Sequence, residues 1–261
     1  MISIVIRNKN EATALESILN ILHKIYIDDI SEIIIVDNNS IDQSVDIANK
    51  FNCKIIAIDD FTYGKAINLG IEHAQNDLIL LLSSHAVPVG NSFFKNSVKE
   101  FISNPSLAGM RYINSYSNYL RAVENNFSVK VGLQFGLMAG CAMVNKKIWE
   151  EFKFDEELVF SEDKEWSDRV MKAGFEIKDF NETFFYHIQR DEKGLLNRWK
   201  NENIAYYKLH NLQYISILNI ILSLFFKIGF RLPKEYIGKI IYELRLFFIK
   251  LEVRKKLKSE S

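Results

Sequence analysis

Cysteine is scarce in this chain: Cys53 and Cys141 are the two thiols in 261 residues, too few for a disulfide framework or a cysteine-based zinc site. One falls in an expected strand and the other in an apolar stretch, which suits buried thiols in a reducing cytosol. An excess of charge of either sign is also missing. The 33 basic residues are matched by 33 acidic ones, so no general attraction to nucleic acid is expected, while a small charged substrate stays open. The chain has no phosphate-binding Gly-Lys-Ser loop and no Gly-x-Gly-x-x-Gly fingerprint, which weighs against a nucleotidyltransferase or a sugar-nucleotide modifying enzyme. Internal repeats and low-complexity tracts are lacking. The first apolar run is short and meets Arg7 at once, so the chain is expected to begin directly in a strand and not in a secretory signal. At 48% hydrophobic and 25% charged, the sequence can bury a sizeable core as one large domain or two fused halves.

Three short apolar runs organise the first third: Ile2 to Ile6, Ile33 to Val36 and Leu78 to Leu82. Each ends abruptly in polar residues. Between them helical spacing takes over, with Leu15, Ile18, Leu19, Leu22 and Ile25 forming one apolar face. Ser40 and Gln43 stand at the two ends of a capping box, predicting a helix that starts there and turns Val45 and Ala48 inward. Lys54 to Ile58 reads as a strand and residues 64 to 75 as a helix, while the unbroken Leu78 to Leu82 run suits a strand covered on both faces. This alternation predicts an α/β, Rossmann-like, mostly parallel sheet with helices on both faces and right-handed crossovers. In such a sheet the carboxyl ends of the strands share one edge. Arg7 and Asn8 through Glu11, Asp37 through Asn39, and Ser83 through His85 are therefore expected to meet in a single ligand crevice.

The ordered segments Ile-Val-Ile-Arg-Asn-Lys-Asn-Glu (4–11), Ile-Ile-Val-Asp-Asn-Asn-Ser-Ile-Asp (34–42), Phe-Thr-Tyr-Gly-Lys-Ala-Ile-Asn-Leu-Gly (61–70), Ser-Ser-His-Ala-Val-Pro (83–88), Phe-Asp-Glu (154–156), Ser-Glu-Asp-Lys-Glu-Trp (161–166) and Tyr-His (186–187) resemble the family 2 glycosyltransferases of the GT-A fold. The likeness covers roughly the first 190 residues. Within the family it is nearest the rhamnosyltransferase-like branch of bacterial polysaccharide synthesis. The resemblance implies an inverting transferase that moves a sugar from a nucleotide diphosphate sugar to a glycan or lipid-linked acceptor in capsule or O-antigen assembly. It implies a catalytic domain over 1–190, with a nucleotide-binding half at 1–110 and an acceptor half at 111–190, followed by a helical extension over 191–261.

Such a transfer needs recognition of base and ribose, neutralisation of charge growing on the leaving diphosphate, and a base for the acceptor hydroxyl. Asp37 can accept from a pyrimidine imide N–H and Glu11 can bond base or ribose hydroxyls, as the resemblance implies; Asp-Asn-Asn-Ser is equally good turn chemistry. Arg7, Asn8, Asn39, Ser83 and Ser84 line the same expected edge. Lys65 and Asn68, one turn apart at a helix start, either point together at diphosphate or sugar, or are a solvated Lys and a capping Asn. Glu162 and Asp163 sit in an acidic run that composition alone reads as a solvated helix face. The resemblance makes Asp163 the general base, with Glu162 positioning acceptor or backbone, and burial beside other carboxylates is expected to raise the proton affinity of Asp163. Gly136 to Met143 reads as a floor beneath the donor sugar, and residues 112–130 as a polar loop and helix over the cleft.

The chain departs from the family at Ser83-Ser84-His85, where relatives carry an Asp-X-Asp motif for a divalent cation and ribose. His85 stands at the metal-binding position, and His187 offers a second imidazole from the far half. Two readings stay open: Mn2+ or Mg2+ held by His85 and His187 with little affinity in the absence of substrate, or a metal-free site in which His85, Lys65 or Arg190 meets the diphosphate. The lost carboxylates also motivate a rival function, a catalytically silent, membrane-tethered nucleotide-sugar or glycan-binding subunit. Beyond 190, the run 214–230 is apolar but interrupted, short of the ~20 residues of a comfortable span. Ile237, Ile240, Ile241, Leu244, Phe248 and Leu251 then share a helix face, ahead of a basic tail from Arg254 to Lys258. Residues 214–258 either pack as ordinary helices or lie on an anionic cytoplasmic membrane surface, which makes the protein cytoplasmic or peripheral on the inner face of the plasma membrane.

Overall fold

The computed structural model describes residues 1–188, 191–213 and 215–259, with side chains as far as Leu251; Arg190, one of the candidate diphosphate contacts, lies outside the described residues, as does Tyr214. The chain divides into two compact units, Met1–His210 and Asn211–Ser261. Helix α9 (Glu192–Leu209) belongs to the first of these units.

The first unit alternates as the apolar runs require. Strands β1 (Ile2–Asn8), β2 (Ile30–Asp37), β3 (Lys54–Ala57) and β4 (Leu78–Ser83) are separated by helices α1 (Ala12–Ile25), α2 (Ser44–Lys50) and α3 (Tyr63–Glu72). Then come β5 (Ala86–Pro88), α4 (Phe93–Ser103), β6 (Leu107–Ile113), α5 (Tyr116–Glu124), α6 (Gly132–Phe135), β7 (Cys141–Asn145), α7 (Lys146–Glu151), α8 (Glu162–Lys172) and β8 (Glu176–Tyr186). Among the described residues the strands form one sheet in the order β3-β2-β1-β4-β7-β6-β8-β5. Pairing is parallel from β3 through β4 and between β6 and β8, and antiparallel where β7 joins β4 to β6 and where β5 meets β8.

Both faces of the sheet are covered, and its central strands turn apolar side chains to each. Ile4, Ile6, Leu80 and Leu82 pack with the α1 and α4 side, while Val5, Ile34, Leu81 and Val144 pack with α3 and α8. This two-sided burial is the physical reason for the unbroken aliphatic runs. Gly70 lets α3 approach this second face: a Cβ there lies 2.3 Å from Val5 Cγ1.

Three local expectations are corrected. Ile25 is half exposed, because the chain leaves α1 there and Tyr26 takes the buried place, its hydroxyl donating to Pro88 O (3.2 Å) and Gly90 O (3.0 Å). The Ser40–Gln43 capping box does not form. The Ser40 hydroxyl turns back to Asp37, Gln43 makes no side-chain cap, and Asp42 Oδ1 instead accepts the Ser44 N–H at 3.0 Å. Helix α2 therefore starts later, burying Ser44, Ile47 and Ala48 at helical spacing and leaving Val45 outside.

The second unit holds α10 (Ile217–Phe226), a π-helical turn over Lys227–Arg231 and α11 (Leu232–Ser259). Pro233 lacks the N–H that a regular helix would direct at Gly229 O and crowds that carbonyl, which accounts for the wider turn just before it. Among the described residues no helix is long and apolar enough to cross a membrane. The face from Ile237 through Leu251 is exposed, and so are Phe225, Phe226 and Phe230.

Candidate active site

Parallel register brings the expected edge together. Asn8 pairs with Asp37 across β1 and β2, and Arg7 pairs with Ser83 across β1 and β4. Asp37 is buried, at 4% exposure. Its Oδ1 accepts from Asn8 Nδ2 (2.9 Å) and Ser40 Oγ (2.6 Å), and its Oδ2 accepts the Ser40 N–H (2.8 Å). The carboxylate thus ties the turn after β2, with acceptor capacity left over. Asn8 Oδ1 is buried without a partner. Asn39 holds the turn in the left-handed region (φ 50°) and donates from Nδ2 to Asp59 Oδ1 at 2.9 Å.

Lys65 and Asn68 do not converge on a common anion. Thr62 caps α3, accepting the Lys65 N–H, and Lys65 Nζ pairs with Asp60 outside the helix. Asn68 faces the core. Its Nδ2 donates to Phe154 O (2.9 Å) and Glu156 Oε1 (2.8 Å), and its Oδ1 accepts from Trp149 Nε1 (2.9 Å) and Phe154 N (3.0 Å). With its amide fully used, Asn68 is a tie between α3 and the 149–156 segment. Helical spacing puts it on the face with Gly64 and Ile71, turned toward that segment.

At the end of β4, Ser83 N donates to Gly140 O (2.8 Å) and Ser83 Oγ accepts the His85 N–H (3.2 Å), while Ser84 is buried. Antiparallel pairing of β5 with β8 sets His187 opposite His85, and His187 N–H donates to His85 O at 3.1 Å. His85 Nε2 lies 3.3 Å from Glu11 Oε2, but the two are not aligned for a hydrogen bond, so the nitrogen is buried and unpartnered. That orphaned imidazole nitrogen fits a cation ligand. Among the described residues no three acidic, histidine or cysteine side chains converge on one point.

Glu162 and Asp163 open α8. Ser161, in the left-handed region (φ 66°), turns the chain into the helix without a side-chain cap. Glu162 faces inward and is 5% exposed, and Arg7 Nη1 donates to its Oε1 at 3.3 Å. Burial, followed by the neighbouring Asp163 charge, pushes the Glu162 carboxyl up to about 7 despite the opposing pull of Arg7. Asp163 is half-buried, and its Oδ2 accepts the Ala139 N–H at 2.9 Å. Arg7 also donates from Nη2 to Ala139 O (3.1 Å), and its guanidinium carbon sits 5.0 Å from the Tyr63 ring centroid. One side chain thereby links the end of β1 to the Glu162-Asp163 pair.

Behind this lies a cationic group that sequence patterns do not reveal. Asp179, fully buried in β8, accepts from Arg121 Nη2 (2.6 Å) and Nη1 (2.7 Å), with Arg111 Nε 3.9 Å away. Arg111 also donates to Asn118 Oδ1 (2.9 Å). Helix α5, expected as part of a cover over the cleft, is pinned to β6 and β8 by these bonds. Arg111 and Arg121 lie in unremarkable strand and helix patterns, so no sequence signal announces them.

The family model for glycosyl transferase family 2 matches residues 3–170. No curated protein matches the chain. Among solved structures, the mannosyltransferase PcManGT from Pyrobaculum calidifontis, in complex with GDP-Man and Mn2+, superposes with a TM-score of 0.67 at 13% identity, covering 82% of this chain and 65% of that one. Glucosyl-3-phosphoglycerate synthase from Mycobacterium tuberculosis, with Mn2+, uridine diphosphate and glucosyl-3-phosphoglycerate, gives 0.59 at 12% identity over 80% and 78% of the two chains. S. aureus TarS 1-349 in complex with UDP-GlcNAc gives 0.57 at 15% identity over 82% and 68%. These likenesses show the GT-A fold, and the match over 3–170 extends from β1 into α8, so the chain belongs to glycosyl transferase family 2.

Proposed function

We propose that this chain is an inverting glycosyltransferase that uses a nucleotide diphosphate sugar. The observation that carries the reading is Arg7, which joins the nucleotide edge to the acidic pair through Glu162 Oε1 and Ala139 O. Asp37, Asn8, Asn39 and Glu11 face the base and ribose, with Ser83 and Ser84 next along the edge. Asp163 takes the proton of the acceptor hydroxyl, whose oxygen attacks the anomeric carbon opposite the departing diphosphate, giving a single inversion. His85 and His187 are the residues that would hold Mn2+ or Mg2+; the ion, when bound, supplies positive charge for the leaving diphosphate. The Mn2+ in two similar structures supports a divalent cation. Those relatives carry different bases, guanine in GDP-Man and uracil in uridine diphosphate, so the fold leaves base choice to the residues around Asp37.

The acceptor in this reading is a glycan or lipid-linked sugar of bacterial surface polysaccharide, capsule or O-antigen, and the transferred unit a hexose or rhamnose. Residues 214–258 serve as a peripheral anchor on the inner face of the plasma membrane. The exposed aliphatic and aromatic side chains of α10 and α11, interleaved with Lys227, Arg231, Lys239 and Arg245, support that role.

Ligand-observed NMR against uridine, thymidine and guanosine diphosphate sugars, with Mn2+ and then with chelator, tests the donor. Selective binding of one base strengthened by Mn2+ is expected; equal binding under chelator discards the His85 ion. Asp163→Asn that folds, binds donor and turns over normally removes the base. Donor binding by wild type with no turnover across a broad acceptor panel moves the reading to a silent nucleotide-sugar-binding subunit.

A further inference from the structure

Besides the main-chain bonds from Phe135 N–H to Val131 O and from Gly136 N–H to Gly132 O, the backbone between Phe135 and Ala139 is held by side chains. Arg111 Nη1 donates to Phe135 O (2.9 Å), and Lys164 Nζ donates to both Gly136 O (2.7 Å) and Leu137 O (2.6 Å). Ser167 Oγ accepts the Leu137 N–H (2.8 Å) and donates to Asp163 O (2.6 Å). Ala139 N–H then donates to Asp163 Oδ2 (2.9 Å). Gly136 makes the approach possible, since a Cβ there would lie 2.4 Å from Ser167 Cβ. Asp163, Lys164 and Ser167 all belong to the opening turns of α8, so helix and loop form one closed hydrogen-bonded unit.

Within that unit Lys164 is anomalous. It follows the proposed base directly, yet no acidic partner within salt-bridge distance meets its ammonium among the described residues, and both recorded bonds go to main-chain carbonyls. A buried ammonium is costly unless it is well bonded, and burial lowers its proton affinity. What the two bonds do is set the height of the loop, and with it the position of the Ala139 N–H. Among the described residues that N–H is the donor that reaches the Asp163 carboxylate.

We propose that Lys164 is a positioning residue for sugar transfer. By clamping Gly136 O and Leu137 O it presents Ala139 N–H to Asp163 Oδ2 and so leaves Oδ1 as the oxygen that takes the acceptor proton. The inference rests on Asp163 as base. As the proton passes to Oδ1, the acceptor oxygen bonds the anomeric carbon and the bond to the diphosphate breaks, its electron pair leaving on the diphosphate.

The test compares Lys164→Met, Ser167→Ala, Asp163→Asn and the Lys164→Met/Asp163→Asn double variant. Nucleoside diphosphate release from UDP-glucose and GDP-mannose is followed with water as acceptor, and Ala139 amide exchange is followed by NMR. Lys164→Met is expected to keep donor KM, lose kcat on the order of 100-fold as a misplaced base does, shift the acidic limb of the kcat–pH profile, and add no further loss to Asp163→Asn. Protection of the Ala139 amide falls in Lys164→Met and in Ser167→Ala, a readout that needs no turnover. Unchanged Ala139 protection in Lys164→Met overturns the proposal, and Lys164→Gln gives the same readout if Lys164→Met fails to fold. Equal fold-losses of kcat in the wild-type and Asp163→Asn backgrounds also overturn it, as does a rise in KM alone. Full turnover by Asp163→Asn is a different result, because it refutes the base assignment itself.

Discussion

Asn68 offers the sharpest test of where the site ends and the scaffold begins. Replacing it with Ala removes an amide that satisfies Trp149 Nε1–H, Phe154 N–H and Phe154 O in a region where Asn68, Trp149 and Phe154 are all buried. Each stranded group costs about 1–3 kcal/mol, and some relaxation at the 152–156 turn recovers part of that, so a loss of about 3 to 5 kcal/mol follows. Against a total stability of roughly 5–15 kcal/mol this is a large fraction, equivalent to a fall in Tm of about 10 °C for a unit of this size. Urea melts monitored by tryptophan fluorescence read it well, because Trp149 loses its own hydrogen bond and Trp166 stacks on Phe154 at 4.9 Å. Measured well below the new midpoint, donor affinity is expected to stay within about twofold. An unchanged urea midpoint with a tenfold loss of donor affinity would refute the reasoning and return Asn68 to the diphosphate.

Glu162→Gln is expected to flatten the pH dependence of stability. The folded carboxyl holds its proton up to about 7, against 4.5 for an ordinary glutamate. The native state therefore binds more protons across that window, and stability is fullest below it and is lost as pH rises through 7. The loss is on the order of 3 kcal/mol. Urea melts at pH 5 and pH 8 check it: the variant gains on wild type at the higher pH, and parallel behaviour of the two proteins counts against the linkage. Asp179→Asn leaves the guanidinium groups of Arg121 and Arg111 buried without their carboxylate, at a cost of about 3–5 kcal/mol in thermal unfolding. A change below about 1 kcal/mol would show that α5 does not depend on that pair.

The strands and the edge they share were legible in the amino-acid order. Apolar runs such as Leu78 to Leu82, and Ile2 to Ile6 with its single Ser3, have one stable place, inside a sheet covered on both faces, and polarity resumes where the strand leaves the core. Register then follows, so Arg7, Asn8, Asp37 and Ser83 arrive side by side without further instruction. Helix faces were readable in their middles and misread at their ends. Ile25 and Val45 obey the spacing of an apolar stripe, but the chain turns away at the first and α2 begins late at the second.

Side-chain partnership was decided in three dimensions. Asn68 and Lys65 are one turn apart, yet one bonds Phe154 and Trp149 while the other meets Asp60, since a helix start has an inner and an outer face. The Ser40 hydroxyl had a capping geometry available and instead completes the Asp37 turn. Arg7 with Glu162, Arg121 with Asp179 and Lys164 with the 136–137 carbonyls join segments separated by tens to more than a hundred residues. Hydrophobic periodicity is a local property written along one element, and so the sequence by itself determined the layers and the family motifs they carry. The choice of hydrogen-bond partner for a buried polar group depends on which distant backbone the packing delivers to it, and that only the tertiary structure decided.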